Sequence, residues 1–156
     1  MKHLFRLLAF LVLAVVVAGL FIRFAPVTPE DWHVDPVTIE KPDTENHFLL
    51  RPQGGDGPAP VFQASPDAVV IALQEVIDET PRATVIDGSP GARHMTILVR
   101  SKLVGFPDFV TVKVLAADSG TAIAIFSRSQ YGKSDLGVNK ARVENWVKAL
   151  ETRLRK

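Results

Sequence analysis

The stretch ATVIDGSPGARHMTILVRSKLVGFPDFVTVKVLAADSGTAIAIFSRS, residues 83–129, decides the fold. Residues 83–87, 94–102, 109–115 and 121–129 are rich in β-branched and aromatic side chains. They are divided by Asp87-Gly88-Ser89-Pro90-Gly91, Gly105-Phe106-Pro107-Asp108 and Asp118-Ser119-Gly120. Clusters of Gly, Pro, Asp and Ser form turns, so the runs read as strands joined by short connections. Met95, Ile97 and Val99 alternate with Thr96, Leu98 and Arg100, and Val110, Val112 and Val114 alternate with Thr111 and Lys113. A period of two means an antiparallel sheet with one face buried and the other partly wet.

Helices are expected on both sides of these strands in the chain. Ser65-Pro66-Asp67 combines a capping hydroxyl, a proline where its missing donor costs nothing, and a carboxylate at the positive end of the dipole. Val69, Ala72, Leu73, Val76 and Ile77 then recur at helical spacing until Thr80-Pro81 stops the run. From Val138 on, Val143, Trp146, Val147, Leu150 and Leu154 form an apolar stripe, opposite Lys140, Glu144, Lys148, Glu151 and Arg155. The expectation is an α+β domain of two layers over residues 65–156: a four-stranded antiparallel sheet flanked by two helices.

An apolar segment precedes it. Residues 4–24 hold only Arg6 and Arg23 as charges, and at ~1.5 Å per residue they reach about 30 Å, one hydrocarbon core. Residues 1–24 therefore read as an N-terminal transmembrane anchor. A cleavable signal peptide with a site at Val16-Val17-Ala18 is the alternative, disfavoured because the apolar run continues unbroken through Ile22. Lys2 and Arg6 against Arg23 favour a cytoplasmic N-terminus, which places the domain in the periplasm of a bacterial inner-membrane protein.

Residues 25–64 carry most of the eleven prolines and the turn-rich Gly54-Gly55-Asp56-Gly57, the composition of an extended connector. Trp32, Val37, Ile39, Phe48, Leu49, Leu50, Val61 and Phe62 are too many apolar side chains for a free linker. Its second half is expected along the domain surface, with an edge strand near residues 47–50.

Net charge is +1, but Lys2, Arg6 and Arg23 belong to the anchor, and the 17 acids all lie outside it. The remainder is net acidic and lacks the basic footprint of a nucleic-acid binder. There is no cysteine, hence no disulfide framework, lipid-modified cysteine or thiolate metal site.

Between the last strand and the last helix stands SRSQYGKSDLGVNKARV, residues 127–143. Ser134 or Asp135 can cap the helix, and Gly132 permits a tight turn. Gly137 and Asn139 are poor interior helix residues and place regular helix after them. Gly132-Lys133-Ser134 has the end of a P-loop motif but not its first glycine, so a P-loop is excluded. Anion binding at the helix start would draw on Arg128 and Lys133, with Asp135 opposing it. A hydrolase could take its nucleophile from this hydroxyl cluster, but His94 is the only histidine in the expected sheet and G-x-S-x-G is absent. Glu30, Asp31, His33 and Asp35, with His47 further on, match no metal-binding frame; Trp32 reads as an interfacial aromatic and the acids as a solvated strip. Arg100 and Arg128 near strand ends, and Arg142 early in the last helix, suit either carboxylate pairing or an anionic head group.

The runs RSKLVGFPDFVTV (100–112) and IFSRSQYGKSDLGVNKARV (125–143) resemble an uncharacterised bacterial and plastid family, domain of unknown function 1499, from about residue 48 onward. Ser127, Arg128, Ser129, Gly132, Ser134, Asp135, Gly137, Asn139 and Arg142 match its signature. The resemblance implies a small exported or membrane-associated α+β domain and no particular reaction. Many members carry a cysteine pair near a Pro-Asn-Cys stretch, where this chain has Pro42-Asp-Thr-Glu-Asn-His-Phe.

The expected function is a non-enzymatic, membrane-anchored binding module for a lipid-like ligand or a partner protein, without metal or cofactor. Its ligand-binding candidates are Ser127, Arg128, Ser129, Ser134, Asp135, Asn139, Arg142 and Arg100. A structural accessory subunit of a larger membrane complex is the alternative. A hydrolase using Ser134 or Ser129 is the remote one.

Overall fold

The computed structural model describes residues 1–155. In chain order its elements are α1 (Lys2–Phe24), a 3-10 turn (Pro29–Asp31), β1 (His47–Leu50), β2 (Val61–Phe62), α2 (Pro66–Glu79), β3 (Ala83–Ser89), β4 (His94–Arg100), β5 (Pro107–Ala117), β6 (Gly120–Ser129) and α3 (Val138–Leu154). The broad α+β class agrees with the sequence pattern, but the sheet has six strands rather than four. All pairings are antiparallel, in the order β1-β6-β5-β4-β3, with β2 also on β6. The two added strands come from the proline-rich connector. β1 is the edge strand expected near residue 47; β2 is two residues long, too short to show periodicity.

Alternation puts Met95, Ile97, Val110, Val112, Ile123 and Ile125 on one face, where Val69 and Leu73 of α2 and Val143, Trp146 and Leu150 of α3 cover them. α2 starts as its sequence demands: Ser65 Oγ accepts from Ala68 N at 3.2 Å, with Pro66 in the first turn. Arg153 on α3 reaches Glu75 and Glu79 on α2, tying the two helices together at the surface.

The opposite face is not wet. Leu49, Phe109, Phe126, Thr96 and Thr111 are fully or almost fully buried there with no helix over them. Residues 29–39 do the covering. Trp32 stacks on Phe109 with ring centroids 3.7 Å apart and an interplanar angle of 9°, and its carbonyl accepts from Thr111 Oγ1 (3.0 Å) and Arg128 Nη2 (2.9 Å). His94 Nε2 donates to Val34 O at 3.0 Å, Asp35 pairs with Lys113, and Pro36 is buried. The first half of the connector is thus a strap across the sheet. Trp32 is a sheet-covering side chain rather than an interfacial one, and Asp35 is paired rather than solvated. His33 bonds Thr96 at 2.9 Å, so this histidine is also held by the sheet. Among the described residues no group of three or more His, Asp or Glu is placed to share a metal ion.

Electrostatics follow from this burial. Burial alone would raise the Asp35 carboxyl, but the Lys113 ammonium and the Val37 N–H reverse that and hold it below the usual carboxylate range. Burial lowers the Arg128 guanidinium to about 10; it lies 5.0 Å from the centre of the Trp32 ring and 4.5 Å from that of Phe126 and keeps its charge at neutral pH. Burial also lowers His94, with the Val34 carbonyl opposing.

Two outcomes are expected. Trp32→Ala removes the stack and exposes Phe109, at a cost of about 3 kcal/mol in urea unfolding; a loss within experimental error would mean the strap does not stabilise the sheet. Because His94 is depressed in the folded state, the unfolded chain takes up its proton first as pH falls. Its contribution is complete above about pH 6.5 and lost as pH falls through the folded value. The urea midpoint should therefore fall between pH 7 and pH 5, and fall less in His94→Gln; equal slopes would assign the acid sensitivity elsewhere.

Candidate functional site

The start of β5, the end of β6 and the start of α3 meet at one end of the sheet. Asp108 and Ser129 are cross-strand partners there, and Ser127 lies opposite Val110 on the helix-covered face. α3 brings Asn139 and Arg142 onto these side chains. Ser127 Oγ donates to Asn139 Oδ1 (2.6 Å), and Arg142 Nη1 donates to Ser127 Oγ (2.9 Å) and Asn139 Oδ1 (2.6 Å). Arg142 Nη2 pairs with Asp108. From its other side Asn139 Nδ2 donates to Asn46 O (3.0 Å), Ser129 Oγ (3.0 Å) and Asp135 Oδ2 (2.6 Å). Asn46 Nδ2 in turn donates to Ser129 O (3.2 Å) and Gly132 O (2.7 Å).

Asn139, expected to precede regular helix, is instead in the first turn of α3 and fully buried. Its helix penalty of a few tenths of a kcal/mol is small beside the bonds its amide makes. Asp135 supplies the cap from outside the helix, accepting from Gly137 N at 2.9 Å and Asn139 N at 2.7 Å. Gly137, at φ 82°, holds the left-handed turn between them.

The sheet divides the sequence-derived candidates. Ser127, Ser129, Asp135, Asn139 and Arg142 join in one network on the helix side. Arg128 points to the opposite face, beneath Trp32. Arg100 lies on that face as well and donates to Gly105 O at 3.0 Å. Ser134 is exposed, with a single long bond of 3.5 Å from Leu136 N. Sequence reasoning passed over Asn46 and Asp108. Asp108 had a signal, an acid where an apolar strand begins; Asn46 had none, since only tertiary pairing brings it to Ser129.

Beside the network lies an open recess of about 400 Å³. Phe106, Tyr131 and Val138 form its apolar wall, with the Phe106 and Tyr131 rings edge to face at 6.1 Å. Asp108, Ser129 and Asp135 lie at its polar side. The arginines are turned to internal partners, so the recess presents acceptor oxygens rather than cations.

Arg142→Ala would leave the Asp108 carboxylate buried without its cation, and a loss of 3–5 kcal/mol is expected on the order of that for a broken buried pair. Arg142→Lys should recover only part of it, since one ammonium cannot reproduce the planar fork to Asp108, Ser127 and Asn139. Equal stability of the Lys variant and the parent in urea unfolding would show that the fork geometry is dispensable.

Comparison with known proteins adds the following. No curated protein matches the chain. Solved structures similar to it include Ara h 8.0201, at 13% identity and a TM-score of 0.47, covering 70% of this chain and 97% of that one. Protein CV1439 from Chromobacterium violaceum is similar at 13% identity and a TM-score of 0.43, covering 72% and 99%. The sequence profile of the protein family of unknown function DUF1499 matches residues 32–150, starting at Trp32 rather than near residue 48 and so taking in most of the strap. Strap, sheet, polar network and α3 are therefore parts of one family fold, and this chain belongs to DUF1499.

Proposed function

We propose that the protein is a membrane-anchored binding module that holds, without transforming it, an amphipathic molecule in the recess beside Phe106, Tyr131 and Val138. The carrying observation is the pairing of that apolar wall with a rigid row of acceptors, Asp108, Ser129 and Asp135. Such a site suits a ligand with an apolar body and a hydrogen-bond-donating head, a hydroxyl or an ammonium group, as in a lipid. The internal pairing of Arg142 and Arg128 argues against an anionic head group at this spot.

Anchoring is supported by α1, a 23-residue helix long and apolar enough to cross a membrane, with no buried residue. Lys2 and Arg6 at its start against Arg23 at its end favour a periplasmic domain of an inner-membrane protein. Binding without chemistry is supported by the hydroxyls. Ser127 is engaged by Asn139 and Arg142, and Ser129 accepts from Asn139; neither has an imidazole among its hydrogen-bond partners.

Native mass spectra of the full chain in mild detergent provide the test. An adduct of lipid mass is expected, removed by delipidation and absent from Val138→Trp, whose indole fills the recess while Val138, half exposed, leaves the core unchanged. A bare parent chain, or an adduct equally retained by Val138→Trp, would end this reading. A co-purifying protein in place of lipid would favour an accessory subunit.

A further inference from the structure

Residues 101–106, joining β4 to β5, form a loop tied at its base. Ser101 Oγ accepts from Gly105 N (3.1 Å) and Phe106 N (2.9 Å), Ser101 N donates to Phe106 O (2.9 Å), and Arg100 holds Gly105 O. The tip so fixed carries Leu103, 88% exposed, next to Val104. From the β6–α3 connection at the same end of the sheet comes Leu136, 96% exposed and held at φ 56°. A left-handed backbone costs a branched residue free energy, and water returns nothing for displaying an isobutyl group. Two fully displayed leucines on ordered loops beside one recess form a surface with an apolar counterpart.

The position of α1 identifies that counterpart. A methyl group at Gly19 would meet Val104 Cγ1 at 3.9 Å, and one at Gly105 would meet Arg23 Cγ at 3.0 Å. The loop therefore lies along the last turns of the apolar helix. Gly19 precedes Arg23 by about one turn, so Val104 stands ~6 Å further into the apolar run than the arginine that closes it. Lys102 and Lys133, both exposed, flank the loops where phosphate head groups would lie.

We propose that Leu103, Val104 and Leu136 insert into the leaflet through which α1 leaves the bilayer, seating the domain on the membrane with the recess open at head-group level. This rests on the anchored reading above, and deepens it: the occupant of the recess is a lipid taken from that leaflet. The loops act as a wedge beside the anchor, and Phe106 and Tyr131 line the path from the acyl region to the acceptors. A soluble partner would find no reason on this surface for Val104 to contact α1 within its apolar span.

Absence of cysteine makes the test direct. The full chain carrying Leu103→Cys, Ala92→Cys or Ala14→Cys is labelled with an environment-sensitive fluorophore and reconstituted into vesicles of phosphatidylethanolamine and phosphatidylglycerol. Ala92, exposed in the β3–β4 turn at the far end of the sheet, is the water reference; Ala14, within α1, is the membrane reference. The probe at 103 is expected to shift to the blue, to be quenched by spin-labelled acyl chains several-fold more than the probe at 92, and to resist aqueous iodide. Iodide quenching at 103 equal to that at 92, with lipid quenching at 14, overturns the docking and leaves the anchor standing. No lipid quenching at 14 overturns the anchor and the docking with it. Iodide resistance at 103 without lipid quenching assigns the surface to a protein contact and overturns the proposal.

Discussion

A sheet with helices on one side only has a second face to hide, and in this protein that constraint shapes everything before α2. Phe109, Phe126, Leu49 and Leu98 on that face leave too much apolar surface for water, and the chain answers with Trp32 laid flat on Phe109. The stack in turn sets the course of the strap. Trp32 O receives Thr111 and Arg128, Val34 O receives His94, and Asp35 meets Lys113, so the connector crosses the strands by a defined path. Burying Arg128 beneath this aromatic cover carries a desolvation cost, offset by the Trp32 carbonyl and the flanking rings rather than by a carboxylate. The strap also fixes where the chain enters the domain, at the end of the sheet that holds the recess.

The polar signature at residues 127–143 is mostly directed inward. Asn139 satisfies both ends of its amide on five partners from three parts of the chain, and Arg142 neutralises Asp108 beside it. A buried network of this kind is stabilising only when every member is satisfied, and it then holds its surroundings to one arrangement. What it holds is the polar side of the recess, since Asp108, Ser129 and Asp135 are at once members of the network and part of the recess lining. Residues that look like a reactive cluster in one dimension form the framework of a recess in three.

The end of α1, the recess and the displayed leucines converge on one end of the molecule, and the strand order accounts for the loops among them. β4 ends, β5 begins and β6 ends there, so the β4–β5 loop, the β6–α3 connection and the start of the strap are neighbours although far apart in the chain. Two antiparallel strands, β5 and β6, separate the β4–β5 loop from α3, so the chain returns to the end it left. The match of the family profile to residues 32–150 fits this unity, since a fold without the strap would leave the sheet half covered.

The sequence by itself determined the elements that local chemistry controls. The apolar helix, the Ser65-Pro66 helix start, the alternating strands between residues 83 and 129 and the amphipathic last helix all follow from periodicity and capping, which act over a few residues. It also carried the family signature. The tertiary structure alone decided the role of Trp32, the count of six strands, the separation of Arg128 from Arg142 by the sheet, and the meeting of Asn46 with Ser129 and Asn139. Each of these rests on contacts between residues distant in the chain, and a side chain's partner across a sheet is set by register and by which face it occupies. Periodicity shows that a face exists; only packing shows what covers it.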